Sequence, residues 1–143
     1  MRAAPPSLLI PMAADKASLE LARQQARQFL ENNGVDEHAL AGVELVLEEA
    51  ATNVLRYGYE GLPPGERWIE IDLQVDLDEV HLLLVDDGKA FDPLDEGAVL
   101  LPDTLDDAQV GGLGLLMIRN TASSLAYERR DGKNRLTMTI ART

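Results

Sequence analysis

The chain has 143 residues, 13 Lys plus Arg against 25 Asp plus Glu for a formal charge of −12, and 45% apolar side chains. Such a length describes a single globular domain over residues 1–143 with one core and one small site, and excludes a repeat array or a second catalytic domain. A charge of −12 opposes nucleic-acid and anionic-membrane partners, which need a positive field, and the absence of Cys excludes disulfides, thiolate metal sites and thiol nucleophiles.

Met1-Arg2 followed by Leu8-Leu9-Ile10 is too short an apolar stretch for a signal sequence, and Pro11 breaks it. No run approaches the roughly 18 apolar residues of a membrane span, so the expectation is a soluble, cytoplasmic protein. A short strand is predicted over Leu8 to Met12. Asp15 or Ser18 then caps a helix whose apolar residues Leu19, Ala22, Ala26, Phe29 and Leu30 recur at helical spacing, and Gly34 ends it. A second helix runs from near Asp36 to about Tyr57 with a stripe of Leu40, Val43, Leu47, Ala50, Ala51 and Val54, stopped by Gly58, Gly61, Pro63-Pro64 and Gly65. Trp68 to Val75 and Val80 to Val85 read as a hairpin around Asp76-Leu77-Asp78-Glu79, with polar and apolar residues alternating in the first strand.

Residues 92–110 lose all period; they hold six acidic residues, two Pro and no Lys or Arg, and a loop of that length usually has a function. A third helix follows from Leu113 to about Ser123, with Leu115, Leu116, Ile118 and Ala122 on one side. Strands over Leu125 to Arg130 and Arg135 to Ala141 close the chain around Asp131-Gly132, a hairpin dipeptide. Antiparallel strand pairs with helices between them predict an α+β two-layer sandwich, its mixed, mainly antiparallel sheet covered on one face by helices.

Three constellations can carry chemistry. Glu49 and Asn53 lie four apart on the second helix, hence on one face and about 6 Å apart along its axis; an amide oxygen can ligate Mg²⁺ beside phosphates while a carboxylate takes a proton. Asp86-Asp87-Gly88-Lys89-Ala90-Phe91-Asp92-Pro93 ends a strand with an acceptor for an exocyclic amine and a glycine that admits a flat ring. Gly111-Gly112-Leu113-Gly114-Leu115 opens the third helix, where free backbone N–H groups suit phosphate oxygens. Taken singly these are a surface helix pair, an acidic turn and a glycine hinge. Their order and placement give them joint weight.

Glu49-x-x-x-Asn53, Asp86-x-Gly88-x-Ala90-Phe91-Asp92-Pro93 and Gly111-Gly112-x-Gly114-Leu115 resemble the three nucleotide-binding boxes of the Bergerat-fold (GHKL) ATPases, which include gyrase, heat-shock chaperone, mismatch-repair and histidine-kinase domains. The Phe-Asp-Pro segment and the Gly-Gly-Leu-Gly-Leu form are most similar to the bacterial anti-sigma factor serine kinases. The resemblance implies ATP and Mg²⁺ as cofactors, with Glu49 as general base, Asn53 as Mg²⁺ ligand, and Asp86 as the adenine-binding carboxylate with Gly88 and Phe91 beside the ring. It also implies Gly112, Gly114 and Leu115 at the phosphate-facing turn and a lid over 92–110. The partners it implies are a small STAS-type anti-sigma factor antagonist, phosphorylated on Ser, a sigma factor, and a second copy in a homodimer.

Departures from the family pattern are Tyr57 where His is frequent, Ala90 where Gly is frequent, and a lid without a cation. A polar last-strand residue near the nucleotide is expected at Thr137 or Thr139. The cation-free lid keeps a second reading open, a nucleotide-gated binding module with little phosphoryl transfer. A histidine kinase proper would need a phosphoacceptor His helix pair, and His38 and His81 are not placed for one. Residues 119–143 carry six basic and two acidic side chains against the acidic lid, so the acidic half is expected to meet a basic partner surface in a salt-sensitive association.

Overall fold

A computed structural model describes residues 4–61, 67–92 and 113–142. Five strands, β1 (Ser7–Ala13), β2 (Trp68–Val75), β3 (Glu79–Asp86), β4 (Ser124–Arg130) and β5 (Lys133–Ala141), form one sheet in the order β1-β2-β3-β5-β4. All four neighbouring pairs are antiparallel, so the expected mainly antiparallel sheet has no parallel pair among the described residues. Among the described residues β1 pairs only with β2, and its other edge tolerates Pro11, which lacks the N–H that an interior strand would use.

Helices α1 (Lys16–Asn32), α2 (Glu37–Asn53) and α3 (Leu113–Thr121) pack on one face of this sheet. Asp15 is the cap of α1, its Oδ1 accepting from Ser18 N at 2.7 Å, so Ser18 belongs to the first turn. The helix ends as the glycine predicts: Gly34 has φ 74°, its N–H reaches Glu31 O, and the Val35 N–H reaches Leu30 O. Asp36 caps α2 through Ala39 N at 2.9 Å. Arg27 then ties the two helices by pairing with Glu44 at 2.6 Å and Glu37 at 3.1 Å.

Buried positions of α2 extend beyond the predicted stripe to Ala39, Val46 and Asn53. The helix is wedged between the sheet and both other helices, so more than one face is dry. The α-helical path stops at Asn53, and Val54–Gly58 continues as a π turn, wider than the helix to Tyr57 that periodicity suggests. Leu30, Leu40, Val43, Val46, Leu47, Ile69, Ile71, Leu73, Leu82, Leu84 and Met138 fill the core.

Both hairpins form where expected. Asp131 and Gly132 adopt φ of 53° and 75°, the left-handed pair of a tight two-residue turn. In the other, Asp76 Oδ1 accepts from the N–H groups of Asp78 and Glu79 at 2.8 and 2.7 Å, which starts β3 one residue earlier than predicted. At this turn end of the sheet Ala4, Pro5, Pro6, Val75, Leu77 and Arg142 share a groove, so the two described ends of the chain meet there. No described helix is long and apolar enough to cross a membrane.

Candidate functional site

The opposite end of the sheet holds a cleft. Asn53, Gly58, Asp86, Phe91, Tyr127 and Asn134 meet over a floor of Ala50, Val54, Leu84, Ile118 and Leu136. The last residue of β3, Asp86, is 4% exposed. Its Oδ1 accepts from Gly88 N at 2.9 Å and from Asn134 Nδ2 at 3.0 Å, whereas Oδ2 takes no hydrogen bond among the described residues. Burial raises the carboxyl above the ordinary Asp range, and those two donors pull it partly back. The cleft thus presents one open carboxylate oxygen against an apolar slot, a pairing suited to a flat ring bearing an amine.

The strand-to-loop turn after Asp86 is pinned from several sides. Lys89 N donates to Gly58 O at 2.7 Å, and Arg129 Nη1 donates to Gly88 O at 2.8 Å. The close approach of the Gly58 carbonyl is what excludes a side chain at Gly88. Asp87 turns away from the cleft and accepts from Tyr59 OH at 2.7 Å and Trp68 N at 3.1 Å. Burial and the Asp87 carboxylate drive the Tyr59 phenol upward, so it stays a donor. Phe91 stacks on Tyr57 with ring centroids 6.2 Å apart at the cleft mouth.

Asn53, the last residue of α2, is buried, and its Nδ2 finds no partner among the described residues. An orphaned buried amide is costly in a closed protein and ready-made for a ligand. It lines the cleft together with Ala50, three residues earlier on the same face of α2. Glu49 lies half-buried one turn earlier on α2 and is not among the residues lining the cleft.

The structure therefore brings together Asn53, Asp86 and Phe91, with Gly88 directly behind Asp86. Gly114 and Leu115 fall in the first turn of α3; Gly111, Gly112 and all of the 92–110 segment except Asp92 lie outside the described residues. Thr137 and Thr139 do not line the cleft, because strand alternation gives that face to Asn134 and Leu136. Asn134 is the polar last-strand residue of the site, and sequence reasoning missed it along with Tyr127. Its signal was an Asn directly after a Gly-Lys turn, which reads as turn chemistry until the pairing of Asp86 with Asn134 across β3 and β5 is known.

The family model described as histidine kinase-like ATPase domain matches residues 12–140. The serine/threonine-protein kinase BtrW of Bordetella bronchiseptica is 38% identical over 95 residues, 66% of this chain and 66% of that protein. The anti-sigma F factor of Priestia megaterium is 30% identical over 89 residues, 62% of this chain and 60% of that one. The matched stretches thus span two thirds or less of these relatives. In fold, the RsbU and RsbW domains of a Mycobacterium tuberculosis protein superpose with TM-score 0.64 at 20% identity, covering 96% of this chain and 33% of that one. SiaB in the SiaB–SiaC complex of Pseudomonas aeruginosa gives TM-score 0.62 at 18% identity, covering 94% and 89%.

Proposed function

Because the chain belongs to the histidine kinase-like ATPase domain family, we propose that it binds ATP with Mg²⁺ and phosphorylates a serine of a small STAS-type anti-sigma factor antagonist in a partner-switching system. The single observation that carries the reading is the buried Asp86, whose Oδ2 has no hydrogen bond among the described residues, in an apolar cleft that it lines together with Asn53, whose Nδ2 is likewise without a partner there. That donor and acceptor set fits a nucleotide: an acceptor for the base amine, apolar walls for the ring, and an unsatisfied amide for an oxygen-rich group. Relatives named as a serine/threonine-protein kinase and as anti-sigma F factors support the choice of acceptor and the sigma factor as a second partner.

The bound nucleotide would supply the γ-phosphoryl group, with Mg²⁺ screening its charge. Within the chain, Asp86 Oδ2 accepts from the base amine and Phe91 borders the ring. Asn53 offers Oδ1 to the metal and Nδ2 to an oxygen acceptor. The glycine segment with Gly112, Gly114 and Leu115 opens α3, whose first N–H groups suit phosphate oxygens. Glu49, one helical turn before Asn53, takes the proton of the incoming serine hydroxyl.

The sheet face away from the helices supports the homodimer. Glu70 and Asp72 on β2 and Lys133 and Arg135 on β5 flank Leu83 and Val85 of β3, and Glu70, Val85 and Arg135 share one cross-strand row. A two-fold axis along β3 sets Glu70 of each copy over Arg135 of the other.

The test is phosphate transfer from labelled ATP to the antagonist serine with Mg²⁺, alongside calorimetric binding of ADP. Glu49→Ala is expected to slow transfer by about 10²–10⁴-fold while leaving ADP affinity within about threefold; transfer at the wild-type rate removes Glu49 as base. A nucleotide-gated module without transfer is the second reading, favoured by the lack of Lys or Arg across 92–110. ADP binding with no transfer by the wild type selects it.

A further inference from the structure

Asn134 is 5% exposed, and every hydrogen-bonding site of its amide is used. Nδ2 donates to Asp86 Oδ1 at 3.0 Å and to Lys89 O at 2.8 Å. Oδ1 accepts from Tyr127 OH and from Arg129 Nη1 at 3.2 Å, with Phe91 N at 3.4 Å. This orientation is chemically forced. Arg129 can only donate and the Lys89 carbonyl can only accept, so the flipped amide would face acceptor with acceptor and donor with donor.

The consequence falls on Asp86. With Oδ1 held by two N–H donors and Oδ2 without a hydrogen bond among the described residues, Oδ2 is the atom left to accept a ligand hydrogen or take a proton. We infer that Asn134 is the positioning residue that sets base choice: by holding Asp86 Oδ1 it presents Oδ2 as a bare acceptor, which takes the exocyclic amine of a 6-aminopurine and rejects a 6-oxopurine. The inference rests on the nucleotide reading above and deepens it. A 6-oxopurine brings a carbonyl oxygen to the same place, and two facing acceptors in a desolvated slot repel.

The neighbours of Asp86 fix the expected pH behaviour. Asp87 follows it in the chain, Tyr59 follows the π turn, Tyr127 and Arg129 come from β4, α2 brings neutral Asn53, and α3 brings apolar Ile118. Burial and Asp87 favour the protonated carboxyl, while Asn134, Gly88 N and Arg129 favour the carboxylate. Removing the Asn134 donor shifts the balance toward the acid. A proton on Oδ2 converts the acceptor into a donor, and the preference for the amine is lost.

The experiment measures ADP and IDP binding by calorimetry on the full chain at several pH values between 6 and 8. The variants are Asn134→Ala and Asn134→Leu, neither of which can donate to Asp86 Oδ1; melting curves without nucleotide verify folding. The wild type is expected to favour ADP by about tenfold or more with a flat pH profile. In either variant the preference shrinks to within about threefold and ADP affinity falls as pH falls. A folded variant that retains the wild-type preference and flat profile overturns the inference and leaves the nucleotide reading intact. A wild type without preference overturns it as well. A wild type that binds neither nucleotide removes both.

Discussion

A methyl group added at Gly88 would lie 2.6 Å from the Gly58 carbonyl oxygen and 3.0 Å from Asp86 Oδ1. The nearer neighbour is backbone, held in place by the Lys89 N–H, so it cannot rotate aside. Gly88→Ala is therefore expected to destabilise the protein by about 1–3 kcal/mol in chemical denaturation and to weaken ADP binding; unchanged stability would mean the turn is looser than its hydrogen bonds imply. The glycine was legible in the sequence, though the reason for it was not. A ligand ring explains it on paper, whereas the fold explains it by the π turn pressing against the end of β3. Asp86 was legible because it follows a strand whose period could be read, and Asn53 because it lies four residues after Glu49 on a readable helix face. Asn134 was not, because its role exists only through partners 48 and 45 positions away in the chain.

At the scale of elements, the hairpin between β2 and β3 is held by one carboxylate. Asp76 accepts from two backbone N–H groups through Oδ1 and meets His81 Nε2 at 2.8 Å through Oδ2. The His81 bond and those N–H groups hold its carboxyl at about 2, below the usual 3.8. Since the folded value lies below the unfolded one, this carboxylate stabilises the hairpin fully above 3.8 and loses its contribution as pH falls toward about 2. Asp76→Asn should lower the melting temperature at pH 6, and the gap to wild type should close as the buffer approaches pH 2; a constant gap would show that its charge is immaterial. Caps and turns of this sort were readable from Asp15, Asp36, Gly34 and Asp131-Gly132, because each acts on residues within a few positions. The π turn was not readable, since one extra residue in a single turn leaves the apolar spacing of α2 unchanged.

Charge is unevenly spread over the molecule as a whole. On the uncovered sheet face acidic β2 and basic β5 lie on opposite sides of β3, an arrangement that complements itself under a two-fold rotation. Glu70→Arg should shift sedimentation toward monomer, and adding Arg135→Glu should restore the dimer; identical sedimentation of all three proteins would place any dimer elsewhere. The two-layer architecture followed from the order of helices and strand pairs. The position of β5 between β3 and β4, and with it the site, did not, because strand neighbours are chosen by tertiary packing.

The groove shared by Ala4 and Arg142 lies at the end of β3 remote from Asp86, about 25 Å along an eight-residue strand. A tether, fluorophore or biosensor linkage attached beyond either residue therefore leaves the cleft at Asp86 open to solution, and on the proposed function protein immobilised there should retain the nucleotide capacity of the free form.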